Sequence, residues 1–197
     1  MSDNYTLPPT RRAVLGGAGK TLSAAGIALM LGGRATSSFA ATAQETAEET
    51  SQDVQILNAA IALEHEGIAA YQIAATSGLL QPAVVDIGVT FQGHHKGHRD
   101  ALVKAVEKLG GAPVEAKTLD HYAAALNAAA LTNQTDVLRL ALRLERGAAN
   151  AYLGLIPSLG ADFHQIAGQM AGDEAYHAAI LAQALGLPIP KNPLIFG

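Results

Sequence analysis

The 197-residue chain has no cysteine and no tryptophan, and only 5% of it is aromatic. Without cysteine there is no disulfide and no lipoprotein processing, so stability has to come from packed helices or from a bound metal. Basic residues are scarce as well. The 13 Lys and Arg are scattered rather than clustered and are outnumbered by 17 Asp and Glu, which gives no electrostatic footprint for nucleic acid. Long apolar runs are missing too: the one near the N-terminus is weak, broken by glycines and Lys20 and followed by Arg34, so a stable membrane anchor is not expected. Alanine is abundant throughout, a composition that suits close-packed helices better than a sheet.

The N-terminal segment reads as an export leader. Thr10-Arg11-Arg12 precedes a weakly apolar run that ends near Gly33, and two small-x-small sites follow, allowing cleavage after Ala40 or after Ala43. The paired arginines point to the twin-arginine pathway, which makes its export machinery a partner and the periplasm the destination. On this reading residues 1–43 are removed. Four of the basic residues (Arg11, Arg12, Lys20 and Arg34) leave with them, so the mature chain is more acidic than the formal −4 of the whole.

Beyond the leader, residues 44–51 read as a flexible acidic segment and 187–197 as a Pro-rich tail. Between them, apolar residues recur at helical intervals in four long stretches. The first helix is expected over 52–76, with Leu57, Ile61, Glu64, Ile68 and Tyr71 on one stripe. Pro82 opens the second, whose inner stripe includes Val84, Ile87, Phe91, His98, Leu102 and Val106, and Gly110-Gly111 ends it. A long connection follows, with a short helix expected over 119–131. The third long helix is expected over 136–156 and the fourth over 161–185, the latter capped by Gly186. Short, long and short connections between four amphipathic helices make an all-α fold, a four-helix bundle with one long crossover between helices 2 and 3.

Two segments repeat each other. Leu63-Glu64 is followed by Tyr71, and Leu144-Glu145 by Tyr152; seven residues are two helical turns, so Glu and Tyr share a face in each. About thirty residues after each comes a histidine-bearing segment, His94-His95-Lys96-Gly97-His98 and then Asp173-Glu174-Ala175-Tyr176-His177. Glu64 and Glu145 lie among apolar neighbours, and an inward carboxylate is costly unless it is paired or holds a metal. Residues three apart on a helix project the same way, so Glu174 and His177 can offer a carboxylate and an imidazole to one cavity. Tyr71 and Tyr152 read as core residues with bonded hydroxyls, and Asp173 as an acceptor for a ligand imidazole. Glu66, His65 and Arg146 fall off the inner stripe and read as solvated, while His121 and His164 are given no role.

In this order and spacing the motifs resemble those of the ferritin-like superfamily, most of all its exported ferritin-like domain proteins, over residues 52–186. The resemblance implies a metal centre in the bundle core with Glu64, His95, His98, Glu145, Glu174 and His177 as ligands. It implies two divalent metal ions, iron or manganese, and redox chemistry with dioxygen, peroxide or iron(II). It also admits a non-catalytic, stress-protective or structural bundle whose metal site is mononuclear or degenerate. The chain departs from the family where the second helix should carry glutamate and has His95, with His94 as a rival ligand. Three carboxylates and three imidazoles hold less negative charge than four and two, which opens the alternative of a single zinc or copper ion. The Ala-rich helices also leave room for a homodimer.

Overall fold

The computed structural model describes residues 40–196, with side chains from Glu48 onward. The leader expectation for 1–39 lies outside the described residues. Among those described there are five α-helices and no strand: α1 (Ala40–Thr76), α2 (Pro82–Lys108), α3 (Leu119–Ala125), α4 (Gln134–Leu155) and α5 (His164–Ala184). None is long and apolar enough to cross a membrane. The fold is the expected four-helix bundle, in which α1 pairs with α2, α4 pairs with α5, and the crossover between the two hairpins carries α3.

One boundary differs. α1 starts at Ala40, so the acidic segment 44–51 continues the helix instead of forming a loose lead-in. Its Ala, Gln and Glu residues are strong helix formers, and an N-terminal extension needs no apolar stripe to propagate a turn already nucleated further along. The crossover also departs in detail. The helix expected over 119–131 stops at Ala125, because Asn127 takes a left-handed conformation (φ 52°) and a 3₁₀ turn over Ala128–Ala130 follows.

The helix ends follow from local chemistry. After α2, Gly110 (φ 74°) donates to Glu107 O and Gly111 to Val106 O, each at 2.9 Å, and after α5 Gly186 (φ 66°) and Leu187 repeat the pattern. These paired bonds satisfy carbonyls the helix leaves open, and they need a residue free to adopt positive φ. Asn133 starts α4 by accepting from Asp136 N at 3.1 Å. At the far end, Asp53 of α1 accepts from Gly160 N at 2.9 Å and so ties the α4–α5 turn to the first helix. The crossover is tied to α1 in the same way. Asn58 bonds Ala112 O and Val114 N, and His65, expected in solvent, is half-buried with Nε2 3.1 Å from Val114 O.

Two apolar clusters fill the bundle. One is built on Leu57, Ile61, Val106, Tyr152, Leu155 and Met170, the other on Tyr71, Phe91, Leu138, Leu142, Ala178 and Leu181. Along every long helix a polar residue separates the two: Glu64 in α1, His95 and His98 in α2, Glu145 in α4, Glu174 and His177 in α5. Ile87 is the exception on the expected stripes, lying 42% exposed. Leu57, 1% exposed, should lose about 2–5 kcal/mol of unfolding free energy when replaced by alanine, read from urea denaturation.

Candidate metal centre

All six residues are buried in the layer between the clusters, and none is more than 8% exposed. They form two overlapping groups, Glu64–His95–His98–Glu174 and His95–Glu145–Glu174–His177. Within each group one ligand atom per residue lies within 4.8 Å of all the others. His95 and Glu174 belong to both. The His95 ring spans the layer, its Nδ1 2.7 Å from Glu64 Oε2 and its Nε2 3.4 Å from Glu145 Oε1. His98 Nδ1 lies 3.1 Å from Glu174 Oε1, and His177 Nδ1 lies 3.3 Å from Glu145 Oε2.

His94 is not in this layer. It is exposed on the outside of α2, with its Nδ1 2.8 Å from His177 Nε2, so it orients an inner imidazole and is in neither group. Asp173 does the same for His98, with Oδ2 3.0 Å from Nε2. The tyrosines cross over between repeats: Tyr71 donates to Glu145, and Tyr152 to Glu64. Glycine spacing could not have announced Gly67, but it matters here. A Cβ built on it would stand 2.9 Å from His95 Nδ1, so the bare backbone of α1 is what admits an imidazole at this place. The second repeat has Ala148 in register with Gly67, and there the facing helix carries Glu174.

Burial opposes every charge in the layer, and the partners decide each outcome. For Glu64, hydrogen bonds and charge from His95 and His98 outweigh burial, and its pKa ends below the ordinary carboxylate value. Glu145 is taken well below it by bonds from Glu174, His177 and His95. Glu174 goes the other way, raised by burial and by Glu145 beside it. Burial lowers His98, but Glu174, Glu64 and Asp173 around it raise its pKa to about 10. His95 and His177 are likewise raised by their carboxylates against burial. Glu66, expected in solvent, is partly buried, and burial raises its pKa.

Whether these residues suit a metal can be judged from the donor set. Glu174 Oε2 is buried with no hydrogen-bond partner among the described residues, an acceptor with nothing to accept from. His98 and His177 have outer partners on Nε2, as metal-bound imidazoles do, and clustered carboxylates with a free oxygen suit a divalent ion. The residues fit. What fold and layer define is a helical bundle with a buried carboxylate–imidazole cluster compatible with a metal site.

Comparison with known proteins agrees. The family model described as "Ferritin-like domain" matches residues 52–187, and the chain belongs to that family. Among solved structures it is similar to a conserved hypothetical protein from Mycobacterium tuberculosis, with a TM-score of 0.59 and 25% identity, covering 73% of this chain and 98% of that one. No curated protein matches.

Two predictions follow from the geometry. Gly67→Ala should lower divalent-metal affinity about 10–100-fold by pushing the His95 ring, although alanine is the better helix former. Combined with His95→Glu the same change should cost little. Metal competition titrations across the four proteins measure the coupling. The second concerns protons. Folded imidazoles with raised pKa values stabilise the metal-free protein below the ordinary histidine range, and that contribution fades as pH rises through the raised values. Metal must displace those protons. Affinity should therefore rise from pH 6 to pH 8, with proton release visible in calorimetry run in buffers of different ionisation enthalpy.

Proposed function

We propose that this chain is an exported metal-binding protein of the ferritin-like domain family whose core takes two divalent ions, iron or manganese. The observation that carries the reading is the pair of overlapping four-residue groups sharing His95 and Glu174. Glu64 and His98 would hold one ion and Glu145 and His177 the other, with Glu174 within reach of both and the His95 imidazole, through one nitrogen, completing one of them. Bound iron or manganese would supply redox chemistry toward dioxygen, peroxide or iron(II). The protein's own part is to fix the ligands and to keep the layer dry. Tyr71 and Tyr152 orient the two single carboxylates, Asp173 and His94 hold the second nitrogens of His98 and His177, and the apolar clusters exclude water on both sides. Export rests on Arg11-Arg12 and the segment behind it, and places the mature protein in the periplasm.

A second reading has its own support. His95 makes three of the six donors imidazoles, and a nitrogen-rich set suits one zinc or copper ion in a non-catalytic bundle. Elemental analysis of the mature protein, purified without affinity histidines and beside a Glu145→Ala/His177→Ala double variant, separates the two. Close to two iron or manganese per chain, lost in the variant, is the expected outcome. A single zinc or copper would replace the first reading with the second. No metal, with reconstitution also failing, would overturn both.

A further inference from the structure

Beside the centre lies a cavity that the metal reading does not use. It opens between α1 and α4 and is roofed by the crossover. Leu63 and Ala70 of α1 form one wall and Leu140 and Leu144 of α4 the other; Leu126 and Leu131 lie above. Its floor is the flank of the metal layer, where Tyr71, His95 and Glu145 face it. These three are already bonded to one another or to Glu64. The fourth polar group, Glu66, is half-buried on α1, and among the described residues no cation pairs with it.

We propose that this cavity binds an uncharged organic molecule with a short apolar body and one hydroxyl group, held by Glu66 and seated against the His95–Glu145 side of the centre. The proposal deepens the metal reading, on which it rests only for the meaning of the cavity's floor. The walls select the class. An anion would meet the carboxylates of Glu66 and Glu145. A cation would have to shed its hydration among leucines and alanines for one partly buried partner. An apolar body loses nothing there, and a single hydroxyl answers the single free polar group, the usual form of a small-molecule site. Size sets a limit as well. The enclosed space is about 50 Å³, several times the roughly 10–15 Å³ that one water needs, so the molecule has only a few heavy atoms inside and any remainder in the mouth.

The probes are ethanol, 1-propanol and 1-butanol, with butyrate and butylammonium as charged counterparts, titrated by NMR into the mature protein with and without metal. Affinity should rise about three- to fourfold per added methylene, and both charged compounds should bind at least about tenfold more weakly than 1-butanol. Ala70→Leu in the α1 wall and Ala128→Leu in the roof should each abolish 1-butanol binding while leaving thermal stability and metal content in place. Glu66→Leu should weaken it about fivefold. Absence of saturable alcohol binding, tighter binding of either ion, or affinity unchanged in both leucine variants would overturn the proposal. Alcohol binding to a protein that never takes metal would leave the cavity standing and remove the metal reading. Metal without alcohol binding would do the reverse.

Discussion

Six ionisable side chains buried in one layer govern the rest of this molecule. An isolated charge taken from water into a protein interior costs several kcal/mol even after relaxation, and here three carboxyls and three imidazoles go in together. The cost is tolerable because most of them find compensation within the layer, as the opposed pKa displacements of Glu145 and His98 show, while Glu174, raised by burial and by Glu145, keeps one oxygen unpartnered. That mutual dependence fixes the register of all four long helices. If α2 slipped by one turn, His95 would leave Glu64 and Glu145 and His98 would leave Glu174, so five buried groups would lose partners at once. The apolar clusters on either side supply most of the burial that drives folding, but shape alone would accept many registers; the polar layer accepts one.

The partners in that layer come from opposite halves of the chain. Tyr71 of the first repeat donates to Glu145 of the second, and Tyr152 of the second to Glu64 of the first. His98 is held by Asp173, and His177 by His94. Each hairpin therefore carries the outer support for the other hairpin's donors, and neither half holds a finished group of its own. Such a layout makes docking of the two hairpins, and not the formation of either, the step that completes the centre.

Much of this could be read from the residues in order. Helix positions followed from apolar spacing, and the inward phase of Glu64, Glu145, Glu174 and His177 followed from their neighbours, since periodicity reports which way a side chain points on its own helix. It does not report what stands opposite. That Tyr71 would meet Glu145, that His94 would lie outside and hold His177, or that His65 would bind the crossover at Val114 depends on how helices pair across the bundle. The acidic segment 44–51 was misread for a different reason, because its polar sequence has no apolar stripe to betray a helix. Glu66 was assigned to solvent because it lies off the inner stripe; the crossover that half-covers its side of α1 has no periodic signature of its own.

The two repeats are unequal in one connected region, and the inequality has a direction. His95 stands where the second repeat has Glu174, His94 where it has Asp173, and Gly67 where it has Ala148. The first two changes replace carboxylates by imidazoles and remove negative charge from the α2 side of the layer. The third removes the methyl group that would have blocked the larger ring. Charge and volume thus change together, as expected if the bare backbone at Gly67 and the imidazole at His95 form one fitted unit. The same two residues line the apolar cavity, so the place where the centre departs from its own internal symmetry is also the place where it borders space that a small molecule can enter. A nitrogen donor that adds no negative charge, facing an apolar recess, suits an uncharged neighbour better than a carboxylate would, and the departure from four carboxylates reads as an adaptation of that flank.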